Sequence, residues 1–135
     1  MPRSAREIDI DSRTYVGMSF PLRSDNNNNF AMTKSSLEQA EHNLRNLLLT
    51  SLRERPLNPN FGSRLRELVF EQIDEDLPQK IEGEVRKSVS LWLPYINIFE
   101  VSTLTDEGDS NRIVVRINYN TSLDPDVTNT LDLEP

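Results

Sequence analysis

The sequence predicts an α+β fold, in which two main helices and a short helix pack on a small antiparallel β-sheet behind an extended N-terminal arm. Apolar residues recur at helical spacing over residues 33–53 and again over residues 77–93. From residue 95 onward the period changes to two, which is typical of strands with one buried face. Proline and glycine between these segments mark the turns.

The composition indicates one globular domain of ordinary size. The chain has 135 residues, of which 36% are hydrophobic and 27% are charged, and this suits a single modest core. It has no cysteine and one histidine, so thiolate metal sites are excluded and no spacing predicts another metal site or a cofactor. The sequence shows neither a membrane-spanning apolar run nor the apolar core of a signal peptide. We therefore expect a protein made in the cytoplasm that has no membrane contact.

The charge of the chain is concentrated near its C-terminus. The net charge is −7, and residues 96–135 contain eight acidic and two basic side chains. A segment with this balance does not favour the phosphate backbone of nucleic acids. We therefore expect no nucleic-acid partner, and the acidic segment serves solubility by default.

Residues 1–30 predict an extended arm, because they show little helical period. Four apolar anchors precede an asparagine-rich loop, and they are Tyr15, Val16, Phe20 and Leu22. Four anchors cannot form a core of their own. The arm is therefore expected either to pack along the core of the domain or to dock on a neighbouring protein.

Residues 33–53 are the clearest helix. Ser35 and Glu38 have the spacing of a capping box at its start. A broad apolar face follows, formed by Leu37, Ala40, Leu44, Leu47, Leu48 and Leu52. His42 lies on the polar side, where we expect it to be solvated.

A turn-rich segment follows this helix. It contains Arg53-Glu54-Arg55-Pro56 and then Asn58-Pro59-Asn60-Phe61-Gly62. The two prolines favour an extended or turned backbone in the residues before them, and Gly62 is suited to a positive φ. We therefore expect the chain to stop, turn and start again within about ten residues.

Two further helices are predicted after the turn. The shorter begins near Ser63, a candidate cap, and its buried face is Leu65, Leu68 and Val69. The longer covers residues 77–93, with Asp76 as its cap and Pro78 in its first turn. Gly83 costs about 1 kcal/mol relative to alanine inside a helix, which suggests that it permits close packing.

The C-terminal third predicts strands. Residues 95–104 and 112–119 form a hairpin with a long acidic loop, and Asp124-Pro125-Asp126 marks a further turn. Residues 128–133 are either a third strand or a frayed tail. The predicted organisation is therefore an arm over residues 1–30, one α+β domain over residues 31–125, and an acidic strand or tail over residues 126–135.

The order of these motifs resembles a known family. The chain has Leu47-Leu48-Leu49-Thr50, then the turn-rich segment, then a short helix ending in Phe70-Glu71. This order is similar to that of the small baseplate wedge proteins of contractile phage tails, which are related to the TssE-type baseplate subunit of type VI secretion. The resemblance spans about residues 15–123. The family's Glu-Pro-Arg motif is replaced here by Leu93-Pro94-Tyr95, which predicts a buried apolar corner instead of an ion pair.

The resemblance implies a non-enzymatic structural subunit of the virion tail baseplate, assembled in the host cytoplasm. Its fold would resemble the strand-exchanging domain of sheath subunits, so that it could template the first sheath ring through the backbone of its last strands. The implied partners are other wedge proteins, the tail sheath subunit, and tail tube or hub proteins. The expected contact residues are Phe20 and Leu22 in the arm and Arg53, Glu54, Arg55, Asn58, Pro59 and Phe61 in the turn.

Two alternatives remain open from the sequence. A type VI secretion baseplate subunit would share the fold and differ in setting, and neighbouring genes would separate the two. Some proteins of the family are labelled lysozyme-like, which raises a peptidoglycan hydrolase with two carboxylates about 5–10 Å apart. Glu54 and Glu71 are the only candidates for such a pair. Neither belongs to a catalytic motif, so we expect no catalytic residues.

Overall fold

The computed structural model describes residues 9–11, 13–71, 75–106 and 109–135. Strands β1 and β2 form a two-stranded antiparallel sheet, and β3, β4 and β5 form a three-stranded antiparallel sheet in that order. This architecture confirms the predicted α+β class. In chain order the elements are β1 (Gly17–Met18), β2 (Met32–Thr33), α1 (Ser36–Leu49), α2 (Leu65–Phe70), α3 (Leu77–Trp92), β3 (Ile96–Asp106), β4 (Asp109–Thr121) and β5 (Asp124–Leu133).

The core lies between one face of the three-stranded sheet and the helices. The predicted alternation on β4 is confirmed, because Val115, Ile117 and Tyr119 are buried and Arg116 between them is exposed. Each fully buried apolar side chain of this kind contributes about 1.5–3 kcal/mol. The other buried apolar residues are Ala40, Leu44, Leu47, Leu48, Leu65, Leu77, Ile81, Val85, Val89, Ile96, Ile113, Leu131 and Leu133.

Helix α1 begins as predicted and ends early. The Ser35 hydroxyl accepts a hydrogen bond from the Glu38 amide at 3.1 Å, while the Glu38 carboxylate accepts one from the Lys34 amide at 3.3 Å. Thr50 is extended, and its hydroxyl donates to the Asn46 carbonyl at 2.6 Å. The helix therefore stops at residue 49, and residue 53 belongs to the turns that follow.

Predictions about single residues of the later helices are only partly confirmed. Arg64 and not Ser63 takes the cap position of α2, but the buried Ser63 hydroxyl accepts a hydrogen bond from the Leu65 amide at 3.4 Å and donates one to the Leu48 carbonyl at 2.9 Å. Gly83 does not permit close packing, since a Cβ atom placed there would meet nothing within 4 Å. Asp76 does hold the cap position of α3 but makes no side-chain capping bond.

The corner between α3 and β3 is packed. Leu93 and Tyr95 are half-buried and contact the core. The Tyr95 hydroxyl accepts a hydrogen bond from the Asn43 side chain at 3.0 Å, and its carbonyl accepts one from the Ser122 amide at 2.9 Å. The predicted apolar packing is present at this corner, although both side chains are half-buried and not fully buried.

The strands are longer than predicted. β3 and β4 stay paired as far as Asp106 and Asp109, so the prediction of a long acidic loop between the two strands is wrong. Residues 107 and 108 lie outside the described part of the chain. Asp124 pairs with Thr121 and begins β5, so the second turn lies at residues 122–123 and not at the predicted Asp124-Pro125-Asp126. β5 is a full strand with Leu131 and Leu133 in the core, and the frayed-tail alternative is excluded.

Candidate assembly surface

The segment over residues 50–63, called the turn loop below, consists of three hydrogen-bonded β-turns. The amides of Glu54, Asn58 and Phe61 donate to the carbonyls of Ser51, Arg55 and Asn58 at 3.2, 3.2 and 3.1 Å. In the second and third turns a proline occupies the second position, where its fixed φ is favourable. The predicted stop, turn and restart is confirmed.

Two backbone bonds close the turn loop. The Arg53 amide donates to the Pro59 carbonyl at 2.8 Å, and the Ser63 amide donates to the Thr50 carbonyl at 2.9 Å. Gly62 has a φ of +125°, and a Cβ atom there would lie 2.5 Å from the Thr50 carbonyl oxygen. A side chain is therefore excluded at this position by both conformation and space.

Three of the predicted contact residues hold the turn loop in place. The Glu54 carboxylate accepts a hydrogen bond from the Ser51 amide at 2.8 Å. Arg55 donates to the Asn46 side chain at 3.1 Å, and its guanidinium lies 4.2 Å from the ring centroid of Phe61. Phe61 meets Trp92 of α3 edge-on, with 5.3 Å between ring centroids. These contacts fix the loop to both long helices.

The tip of the turn loop faces solvent. Arg53, Asn58 and Pro59 are exposed, and no described residue pairs with the Arg53 side chain. Leu57 has a relative exposure of 102%, the highest among the exposed large apolar residues of the described part. The sequence reasoning missed Leu57, and the available signal was an apolar residue placed between two prolines in an otherwise polar turn.

The described part of the arm lies on α1 through backbone and polar contacts. The Asp9 carboxylate accepts hydrogen bonds from the Ser36 amide at 2.8 Å and the Ser36 hydroxyl at 3.0 Å. His42 is half-buried and not solvated as predicted. Its Nδ1 lies 3.1 Å from the Phe20 amide nitrogen and 2.6 Å from the Phe20 carbonyl oxygen, and it bonds to one or the other according to its tautomer.

Most of the apolar side chains that were predicted to anchor the arm are exposed to solvent. Tyr15 and Leu22 have relative exposures of 59% and 60%, Val16 is exposed, and only Phe20 is half-buried. Of the two predicted alternatives, packing of these side chains on the domain's own core is not observed, and docking of the arm on a neighbouring protein stays a prediction. The arm presents most of its apolar side chains outward while its backbone stays on α1.

A groove of about 350 Å³ lies between the arm and the turn loop, with α1 beneath it. Phe20, Leu22 and Arg55 all line it, so the structure brings these three predicted contact residues together. Arg53, Asn58 and Pro59 do not line it. The predicted residues thus form a groove set, an outward set and a set that fixes the loop, and Arg55 belongs to both the first and the third.

The two edges of the three-stranded sheet differ. On β3, Arg86 of α3 donates to the carbonyls of Ile98 and Phe99 at 2.8 and 3.1 Å, where a bulge interrupts the pairing. On β5, no described residue outside β4 hydrogen-bonds to the backbone beyond Pro125. The outer edge of β5 is therefore the more open of the two.

The described residues offer little for catalysis or metal binding. Within this part of the chain, no three His, Asp or Glu side chains are placed to hold a metal ion, and no helix could cross a membrane. The Glu54 carboxylate is occupied by the Ser51 amide. Glu71 is exposed at the end of α2, which is not the desolvated setting that an acid catalyst requires.

The chain is similar to one protein family and to several solved structures. The sequence model of the family described as "Baseplate wedge protein gp25" matches residues 34–126. A protein from Geobacter sulfurreducens described as a candidate tail lysozyme is 28% identical, with a TM-score of 0.67 over 78% of this chain and 95% of that chain. No curated protein matches the chain.

Two further similar structures come from particle baseplates. A chain of the anti-feeding prophage baseplate is 22% identical, with a TM-score of 0.69 over 78% of this chain and 83% of that chain. A chain of the post-contraction pyocin R2 baseplate is 22% identical, with a TM-score of 0.59 over 75% of this chain and 98% of that chain. At this level of identity, these two matches establish a shared fold.

Proposed function

Because the chain belongs to the family of baseplate wedge protein gp25, we propose that it is a structural subunit that joins the inner wedge of a contractile-tail baseplate. The observation that carries this proposal is the turn loop, which is fixed by its own hydrogen bonds and by both long helices yet keeps an apolar tip in solvent. A rigid exposed apolar element of this kind is typical of a protein–protein contact.

The proposed wedge contact combines the turn loop with the arm. Arg53, Asn58 and Pro59 would touch the partner directly, and Glu54, Arg55 and Phe61 would act by holding the loop in shape. The arm would add Leu22 and the exposed edge of Phe20, which share a groove with Arg55. Other wedge proteins are the proposed partners at this surface, and tube or hub proteins are further candidates.

We further propose that the three-stranded sheet templates the first ring of sheath subunits. An open strand edge can accept a strand from a neighbour through backbone hydrogen bonds. The outer edge of β5 supports this role, because β4 is the only described hydrogen-bonding neighbour of its backbone after Pro125, whereas Arg86 occupies two carbonyls of β3.

A catalytic role is not part of the proposal, although one similar structure is described as a candidate tail lysozyme. Retaining and inverting glycosidases both need a protonated carboxyl group poised beside the scissile bond. Glu54 serves the turn loop and Glu71 is exposed. In this proposal the protein acts through binding alone.

Two experiments test this function. The purified chain is applied to peptidoglycan beside its Glu54→Gln and Glu71→Gln variants, and we expect no clearing by any of them. Clearing that disappears in a variant would replace the structural role with an enzymatic one.

In the second experiment, particles are produced without this chain and imaged by electron microscopy. We expect tubes without sheath, and sheathed tails of normal length would contradict the templating role.

A further inference from the structure

Leu57 occupies the corner of a β-turn that points away from the domain. The Asn58 amide donates to the Arg55 carbonyl at 3.2 Å, so Pro56 and Leu57 are the two central residues of this turn. Central residues of a turn project from the chain, which explains why Leu57 is fully exposed. The side chain has no described contact that would give it a role in folding.

The backbone around Leu57 is held in place from both sides. The Arg53 amide and the Pro59 carbonyl close the loop at its neck, and Arg55 and Phe61 fix it against α1 and α3. A contact made by a pre-formed loop loses little conformational entropy on binding. Leu57 is thus an exposed apolar side chain whose position is already set before a partner arrives.

Arg53 adds a second observation on the same loop. It has a φ of +68°, a left-handed conformation that asparagine or glycine adopts more easily than arginine. Its side chain is exposed, and no described residue pairs with it. An outlier of this kind points to a functional reason for the residue. Arginine at this position therefore provides a cation at the neck of the loop in spite of the backbone cost.

We infer that Leu57 is the central anchor of the wedge contact and inserts into an apolar socket on a partner wedge protein, with a carboxylate at the rim of the socket facing Arg53. This inference rests on the proposed function and names the residue and the partner chemistry that it requires. An apolar side chain seated in a desolvated socket and ringed by polar contacts is the usual form of a binding hot spot.

The charge of the turn loop indicates which groups should surround the socket on the partner. The chain as a whole has a net charge of −7, so its surface would on average repel an acidic partner. The tip of the turn loop differs from this average, because it has two cations, Arg53 and Arg55, and one carboxylate, that of Glu54, and is therefore net positive. An acidic rim around the socket would select this loop over the rest of the surface.

The test uses a baseplate wedge protein of the same particle, co-expressed and purified with this chain. Affinity is measured for the native chain and for Leu57→Ala, with Leu91→Ala as the matched control, because Leu91 is also an exposed leucine at 66% relative exposure. We expect Leu57→Ala to weaken binding by about thirtyfold, as for a hot-spot residue, and Leu57→Met and Leu91→Ala to change it by less than about threefold. Equal binding by Leu57→Ala would overturn the inference while leaving the wedge role intact.

Two further measurements complete the test. Arg53→Gln is expected to weaken binding and to reduce the dependence of binding on salt. An unchanged salt dependence would contradict the proposed acidic rim on the partner. A photo-crosslinking residue at position 57 of the assembled particle is expected to trap the wedge protein. Trapping of the sheath subunit instead would overturn the assignment of the partner. If the native chain bound no wedge protein at all, the proposed function and this inference would both fail.

Discussion

The guanidinium of Arg55 lies over the ring of Phe61, 4.2 Å from the ring centroid, and that ring meets Trp92 edge-on at 5.3 Å. This stack joins the turn loop to α3. Arg55 also donates to Asn46 of α1 at 3.1 Å, so a single side chain ties the loop to both long helices. The proposed wedge contact depends on this stack, since the exposed Leu57 can act as an anchor only if the loop beneath it is rigid.

Phe61→Ala should lower the free energy of unfolding by about 2–3 kcal/mol, somewhat less than for a phenylalanine in a core, because Phe61 is half-buried. Urea unfolding followed by circular dichroism measures this change. Phe70→Ala is the matched control, since Phe70 is 83% exposed, and it should stay within about 0.5 kcal/mol. An equal loss in both variants would mean that the stack does not hold the loop.

Gly62→Ala should be destabilising by at least about 2 kcal/mol, because alanine is strained at a φ of +125° and its Cβ would lie 2.5 Å from the Thr50 carbonyl oxygen. Thermal unfolding detects the change as a lower Tm. A variant as stable as the native chain would show that the backbone at residue 62 is free to take another conformation.

Gly83→Ala should raise the free energy of unfolding by about 1 kcal/mol. Gly83 lies inside α3, a Cβ atom there would meet nothing within 4 Å, and alanine is the better helix former. Calorimetry of the purified variant tests this. Destabilisation would restore the prediction from sequence that this glycine permits close packing.

Arg53→Asn should stabilise the fold and weaken assembly. Asparagine adopts the left-handed conformation of residue 53 more readily than arginine, so the free energy of unfolding should rise by about 0.5–1 kcal/mol. Urea unfolding tests the gain, and binding to the co-purified wedge protein tests the loss. A stabilised variant that binds as tightly as the native chain would leave the conformation of Arg53 without a functional reason.

Alkaline pH should weaken the fold through Tyr119. Burial raises the pKa of Tyr119 to about 12, from 10 in the unfolded chain. Above pH 10 the unfolded state releases a proton that the folded state keeps, so stability falls as pH rises. The loss should reach about 2–3 kcal/mol by pH 12, relative to Tyr119→Phe. Parallel stability curves for the two proteins from pH 8 to 12 would contradict the shifted pKa.

Local features of the fold could be predicted from the sequence. The cap at Ser35, the positive φ of Gly62 and the alternation along β4 all depend on near neighbours in the chain. The role of Gly83 was mispredicted because helix propensity says nothing about which side of the helix faces solvent. The length of the hairpin was underestimated because strand pairing overrode the turn chemistry of the acidic residues.

Long-range features could not be predicted. The bond between His42 and the Phe20 backbone joins residues 22 positions apart, and nothing in either segment indicates the other. The apolar residues of the arm pattern like core residues, but the structure turns Tyr15 and Leu22 outward. The prominence of Leu57 depends on the folding of three successive turns, which composition alone does not show.

The most direct test of the central claim is the mass of the complex formed when this chain is co-expressed with the wedge proteins of the same particle. Size-exclusion chromatography with light scattering measures that mass for the native chain and for Leu57→Ala. We predict a stable complex between the native chain and a wedge protein, and its dissociation in the variant. A native chain that elutes alone as a 15.6 kDa monomer would contradict the assignment of this protein as a structural wedge subunit.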